Sequence, residues 1–279
     1  MNDSEPTVVD NVVDDDEAAE RRVRRCSAVW RWSLGVGLVL GWEILTRLKV
    51  IDPYYFSSPS TIVNTAYVAA TQGSLYVDIA YTSAATIVGF IVGVTAGAVL
   101  GLSTWWSQVY GRVSEPYLVT FNAIPKLALA PILIILFGIG FQSKVALAVA
   151  LTIVPAALAA YGGVKSVDRD LEILLFSLGA SRFQVFSKVV VPWAMPWIVS
   201  SLRVNIGLAL AGAIVGEFIA SQYGVGRMIL YAGQIMDINL VWVGVVVLSI
   251  LALVMYVVVM TAERYLLKGM LHGSQLSTQ

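Results

Sequence analysis

Two cations interrupt otherwise apolar runs: Lys126 within residues 113–137 and Arg203 within residues 193–219. An ionised side chain at the centre of a membrane helix costs about 2.5–3.5 kcal/mol on insertion scales, so such residues face a cavity, a partner or the bundle interior. Asn122, Pro125 and Pro131 surround Lys126. Prolines inside a span free carbonyls that protein or cavity water must satisfy. Functionally, both cations would line an aqueous route and attract an anion. The structural alternatives are bonds to backbone carbonyls or snorkelling to the interface. Glu217 closes the second run, where it would gate the route, touch a partner or simply be solvated. The acid nearest Lys126 in its own run is Glu115. Mid-depth positive charge thus exceeds negative charge, and in a low-dielectric cavity one surplus charge acts strongly on a solute.

Other chemistries find little material. One cysteine, Cys26, and one histidine, His272, exclude a disulfide framework and an ordinary zinc cluster. The phosphate-cradling pattern Gly-x-x-x-x-Gly-Lys-Ser/Thr is absent. Gly162-Gly163-Val164-Lys165-Ser166 only imitates it, because its lysine does not follow a glycine. No polar stretch is long enough for an ATPase domain, so the chain is expected to be no enzyme by itself and to bind no cofactor.

The elements that must position these residues are membrane helices. Hydrophobic residues make up 58% of the chain and charged residues 13%, with mean hydropathy +0.78. Soluble chains carry about 25% charged residues. Apolar runs near the length of about 20 residues that spans a bilayer predict six transmembrane helices, at 29–48, 79–105, 113–137, 145–161, 193–219 and 240–260. The tryptophans mostly fall near span ends, as an interfacial belt requires. With both termini inside, twelve lysines and arginines face the cytoplasm and four (Arg47, Lys49, Lys144, Arg227) the outside, a clear positive-inside bias. The domain reading is a cytoplasmic tail over 1–28, first acidic and then basic, a transmembrane domain over 29–262, and a cytoplasmic tail over 263–279. Ser57-Ser58-Pro59-Ser60 signals the start of a short helix on the outer face. Gly89, Gly93, Gly97 and Gly101 recur every four residues and predict close helix packing.

The longest inner loop, 162–192, holds the second candidate site. Residues 168–178 open with charges and continue with apolar residues at helical spacing, up to Gly179-Ala180-Ser181. A second helical pattern then runs to Pro192. Such a corner displays Leu174, Leu175 and Leu178 with nothing beneath them, and an exposed apolar patch marks a docking surface. A merely amphipathic surface helix is the alternative.

This loop resembles that of ABC importer permeases, whose motif is Glu-Ala-Ala, three residues, Gly, nine residues, aliphatic, any residue, aliphatic, Pro. Gly179, Val189, Val191 and Pro192 match it. Ile173, Leu174 and Leu175 fill the Glu-Ala-Ala positions, and Glu172 lies one residue early. Phe56 to Ser60, Asn122 to Pro131, Phe137-Gly138-Ile139-Gly140, Ser201-Leu202-Arg203, Gly216-Glu217 and Gly224-Val225-Gly226 are similar to signatures of one branch. It serves nitrate, bicarbonate, sulfonates and taurine, with relatives for aromatic carboxylates, pyrimidine vitamin precursors and riboflavin.

The resemblance implies an all-α type I transmembrane domain of an importer in the bacterial inner membrane. It implies a dimer, often of two identical copies, two ATPase subunits carrying ATP and magnesium, and an outer solute-binding protein. No nucleic-acid partner is expected. Glu172, Leu174, Leu175, Leu178, Gly179, Ala180 and Pro192 would then form the coupling site, and Asn122, Pro125, Lys126, Arg203 and Glu217 the pathway. The expected cargo is a small anion, with a neutral vitamin precursor as the alternative. A secondary transporter would need ion sites and usually an internal repeat, and no convincing repeat is found. A non-transporting anchor would leave the span prolines and cations without purpose.

Overall fold

Proline and glycine positions set where the helices of this chain break and how closely they pack. The computed structural model describes residues 33–275 together with Ser27 and Trp30, with side chains as far as Leu267. The expected tail over 1–28 lies outside the described residues except for Ser27. Every regular element among the described residues is helical. The chain divides into two units, residues 1–65 and 66–279.

In the first unit, helix α1 covers residues 33–47, followed by α2 (Pro53–Phe56) and the start of α3 (Pro59–Gln72). The expected helix start at Ser57 to Ser60 is therefore present. Glu43 of α1 accepts from Ser60 N at 3.1 Å and from Ser60 Oγ at 2.9 Å. Ser60 lies in the first turn of α3, where a carboxylate meets the positive end of the helix dipole. Arg47 Nε bonds the same carboxylate at 2.6 Å.

The second unit contains α4 (Leu75–Ser103) with a 3-10 turn Thr104–Trp106, α5 (Gln108–Ala123), a 3-10 turn Lys126–Leu129, and α6 (Ala130–Phe137). Then come α7 (Phe141–Lys165), α8 (Arg169–Ser177), α9 (Arg182–Val185), a π turn Phe186–Val190, α10 (Val191–Ile219), α11 (Val225–Gln234) and α12 (Ile238–Gln275). Among the described residues, four continuous stretches are long and apolar enough to cross a membrane: Leu75–Trp106, Phe141–Lys165, Arg182–Ile219 and Ile238–Leu267. The pair Gln108–Ala123 and Lys126–Phe137 makes a fifth if counted as one span, bent by 78°. The first expected span overlaps α1 and begins outside the described residues.

Several expected boundaries move. Residues 113–137 do not form one straight helix. Pro125 has no N–H to give, and the residue before a proline is driven out of the α region; Ile124 accordingly sits at φ −64°, ψ 134°. The fourth span is longer than expected and carries Pro155 inside it. The fifth continues upstream of residue 193 through α9 and the π turn, where Val191 N–H reaches back to Phe186 O. A π turn absorbs the missing donor and the ring of Pro192 without ending the helix. The boundary drawn at residue 262 falls inside α12, whose helix runs on to Gln275. Helix α11 was not foreseen.

The glycine stripe packs α4 against α7. A Cβ on Gly89 would overlap Ala148 Cβ, one on Gly93 would overlap Thr152, and those on Gly97 and Gly101 would overlap the Ile153 and Ala157 carbonyls. At the same residue of α7, a Cβ at Gly212 of α10 would lie 2.8 Å from Ala148 Cα. Ala148 is thus touched by both neighbours, and α4, α7 and α10 pack against one another. Small residues at such contacts let backbones approach, which is the main source of helix association in lipid.

Candidate functional site

The loop between α7 and α10 folds as a helix, a glycine corner and a second helix. Asp168 caps α8 through Asp170 N, and Asp170 and Glu172 lie in its first turn, where acids complement the dipole. At its end Gly179 N bonds Phe176 O and Ala180 N bonds Leu175 O, both at 3.0 Å. This Schellman arrangement needs a left-handed residue, and Gly179 supplies it at φ +85°. Ser181 and Gln184 then form a reciprocal capping box that starts α9. Leu174 is 54% exposed and Leu178 75%. Leu175 and Ala180 are half-buried, whereas Ile173 and Phe176, not singled out by the sequence, are exposed. Pro192 lies one residue into α10.

Glu172 does not join that exposed face. Its Oε1 accepts from Trp105 Nε1 at 2.9 Å, across the loop from α4. Arg182 donates to Trp106 O at 2.9 Å and lies 5.8 Å from both indole rings. Phe186 packs against the same two rings at 5.6 and 5.5 Å. The paired tryptophans therefore anchor α8, α9 and the π turn to the end of α4. Hydropathy gave Trp105 and Trp106 only as belt residues; their adjacency to a cationic partner 76 positions away has no sequence signature.

The deep residues separate into three environments. Lys126 is half-buried at the 78° break, with Nζ 3.0 Å from Asn122 O and 3.4 Å from Asn122 Oδ1. Asn122 and Pro125 are exposed beside it. Arg203 is neutralised: Nη2 donates to Glu263 Oε1 at 2.6 Å and Nε lies 2.5 Å from Oε2. The expected surplus of mid-depth positive charge is corrected at Arg203 by the last helix, which brings Glu263 across. Among the described residues, Lys126 and Arg203 share no hydrogen-bond or ion-pair partner.

Glu217 is neither solvated nor at a surface; it is 1% exposed. Thr82 Oγ1 donates to Glu217 Oε1 at 2.8 Å, Gly226 N donates to Oε2 at 2.8 Å, and Val225 N donates to Thr82 Oγ1 at 2.9 Å. Gly224 N donates to Asp78 Oδ1 at 2.7 Å, and Ser74 Oγ holds Oδ2 at 2.6 Å. Asp78, Thr82 and Glu217 thus satisfy the N–H groups of Gly224, Val225 and Gly226 at the start of α11, which would otherwise be orphaned in a buried place. Lys144, expected in an outer loop, is fully buried in the same cluster and donates to Ala220 O. A Cβ on Gly224 would overlap the Glu217 carboxyl, and one on Gly226 would come within 2.9 Å of Oε2. A carboxylate committed in this way has no free face for a solute.

Known proteins resemble this chain in sequence and fold. The family described as binding-protein-dependent transport system inner membrane component matches residues 89–272. The formylaminopyrimidine transport permease protein ThiX of Halalkalibacterium halodurans is 34% identical over 68% of this chain and 75% of its own length. The taurine transport system permease protein TauC of Escherichia coli is 30% identical over 80% of this chain and 86% of its own. The putative aliphatic sulfonates transport permease protein SsuC of Bacillus subtilis is 29% identical over 81% and 82%. Among solved structures, an inward-facing form of the MetNI methionine ABC transporter superposes with TM-score 0.53 at 16% identity, covering 71% of this chain and 94% of that one; it supports the fold. The chain belongs to the binding-protein-dependent transport system inner membrane components, the permease subunits of type I ABC importers that work with separate ATPase subunits and a binding protein.

Proposed function

We propose that this permease imports a small anion, of the sulfonate or carboxylate kind, with Lys126 on its route. The supporting observation concerns the two cations that interrupt the apolar runs: Arg203 is spent on Glu263, whereas among the described residues Lys126 has only the uncharged oxygens of Asn122 as partners. An uncompensated ammonium at a broken span persists where water or an anion reaches it. Relatives named for taurine and for aliphatic sulfonates fit this cargo. Relatives named for formylaminopyrimidine and riboflavin keep a neutral solute as the second reading.

In this proposal two ATPase subunits dock on the exposed face of α8, and a second copy of the chain completes the pathway. Both termini face the cytoplasm with α8, and the Glu217 cluster faces the binding protein. Closure of the ATPases pushes α8, and the tryptophan anchor passes the motion to α4 and α10 as rigid levers. Glu172 serves as the internal strut of that lever rather than as a contact with the ATPase.

The test is reconstitution of the permease with its ATPase and binding protein in liposomes. ATP hydrolysis is then measured with taurine, alkanesulfonates, nitrate, bicarbonate, aromatic carboxylates, a formylaminopyrimidine and riboflavin in turn. Stimulation by one of the anions is expected. Stimulation by a neutral compound alone overturns the anion reading and leaves the permease assignment standing.

A further inference from the structure

We infer that the α8 end of the second unit carries a binding site for one anionic phospholipid, wedged between α4, α5 and α7. Two adjoining hollows make the site. An apolar groove of about 420 Å³ runs beside Leu100, Val113, Tyr117, Phe121 and Ile153. A polar cleft of about 340 Å³ continues it past Gln108, Arg112, Tyr161, Arg169 and Glu172. Both hollows are lined in part by Thr104, which places them side by side. On α5 the lining passes from Phe121 to Gly111, ten residues, or about 15 Å at 1.5 Å per residue. That length is half of the roughly 30 Å hydrocarbon core, one leaflet deep. Trp105 and Trp106 stand beside the cleft, at the level where tryptophans meet lipid headgroups.

The charges select the occupant. Lys165 lines the cleft but is taken by Glu115, at 3.0 Å. Glu172, in the same cleft, accepts from Trp105 Nε1 at 2.9 Å and keeps its negative charge, so Arg112 and Arg169 together leave the cleft one positive charge in surplus. Arg112 and Arg169 are exposed and have no hydrogen-bond or ion-pair partner among the described residues. Two unpaired guanidiniums over a leaflet-deep apolar slot match a lipid phosphate above an acyl chain. Basic pockets between membrane helices hold anionic headgroups in this way, and arginine binds phosphate through its planar fork. Inorganic phosphate would satisfy the cleft and leave the groove without an occupant; a lipid fills both.

The test uses the full complex of permease and ATPase. Native mass spectrometry from mild detergent should show a phosphatidylglycerol or similar anionic lipid retained per permease copy. Arg112→Ala with Arg169→Ala should lower that retention by about tenfold or more. Leu118→Trp, which fills the groove and leaves both arginines in place, should also expel it. To keep the test independent of how the variants assemble, the unmodified complex is also delipidated and titrated in nanodiscs. It should prefer phosphatidylglycerol to phosphatidylcholine, and inorganic phosphate should not displace the bound lipid. Equal retention of the two lipids overturns the proposal, as does retention indifferent to both variants. Displacement by inorganic phosphate, or loss of the lipid when the ATPase binds, assigns the cleft to another occupant and overturns it too.

Discussion

Gly226 donates its backbone N–H to Glu217 Oε2 at 2.8 Å, so a single buried carboxylate ties the last turn of α10 to the first turn of α11. Thr82 completes the knot by holding Glu217 Oε1 and accepting from Val225 N. Replacing Thr82 by valine keeps the shape and removes both bonds, leaving a buried carboxylate oxygen and a buried N–H without partners. Each such loss costs about 1–3 kcal/mol. Thr82→Ser retains the hydroxyl. The thermal unfolding midpoint of the purified chain in detergent is therefore expected to fall clearly for valine and little for serine. Equal midpoints for the two variants would show that the knot does not contribute to stability.

The α4–α7 contact predicts a difference between glycines of equal hydropathy. Gly93→Leu or Gly97→Leu places a branched side chain where the Cβ alone already collides with Thr152 or with the Ile153 carbonyl and Ala156. Gly207→Leu on α10 meets open space. Membrane accumulation and monodispersity after extraction should collapse for the first two and hold for the third. Normal recovery of Gly97→Leu would mean that α4 and α7 separate at little cost.

Much of this was legible in the residues. The four-residue glycine spacing gave the close helix contact, and Gly179 with Pro192 gave the corner, because both act through the backbone and need no partner. What escaped depended on distant pairing. Glu172 looked free for an outside contact until Trp105 claimed it. Glu217 read as a surface acid because its partners lie in a helix 135 residues earlier and in a glycine-rich turn. Arg203 read as surplus charge because Glu263 was assigned to a tail beyond the last span. Pro125 was seen, but the size of the break was not: a proline reports a lost hydrogen bond, and packing decides the angle.

The Arg203–Glu263 pair makes a prediction that distinguishes a structural ion pair from a pathway residue. Arg203→Met alone strands a carboxylate that is only 3% exposed, and breaking a buried pair from one side is the damaging change. Removing both charges, Arg203→Met with Glu263→Met, should restore folding and transport together. Recovery of folding without transport would place Arg203 on the solute route.

The exposed face of α8 is expected to fail before the fold does. Leu178→Glu or Leu174→Glu puts a charge on an apolar face that the proposed ATPase contact would desolvate without a partner. Gly179→Ala forces a Cβ into the left-handed region at φ +85°, costing about 1–2 kcal/mol. All three variants should reach the membrane, since Leu174 and Leu178 are exposed and a Cβ at Gly179 would meet nothing within 4 Å. Co-purification of the ATPase should drop for the two glutamates and weaken for the alanine. Full recovery of the ATPase with normal transport would move the docking surface away from α8.

Lys126 gives the sharpest test of the cargo. Its ammonium sits at the bend between α5 and α6, and among the described residues it bonds only to the carbonyl and amide oxygens of Asn122. Lys126→Gln removes the charge but keeps a polar side chain that can still reach those oxygens, so the bend should survive. Lys126→Glu reverses the charge in the same place. For an anion passing this point, removing the attraction slows uptake, and replacing it with repulsion slows uptake much further, because charges act strongly where water is scarce. For a neutral solute the two variants should differ little. Uptake is compared at matched membrane levels and at two ionic strengths. Repulsion reached through water weakens as salt rises, so added salt should partly rescue the glutamate variant. Two variants that both transport at the unmodified rate would remove Lys126 from the route and leave it as a brace for the bend.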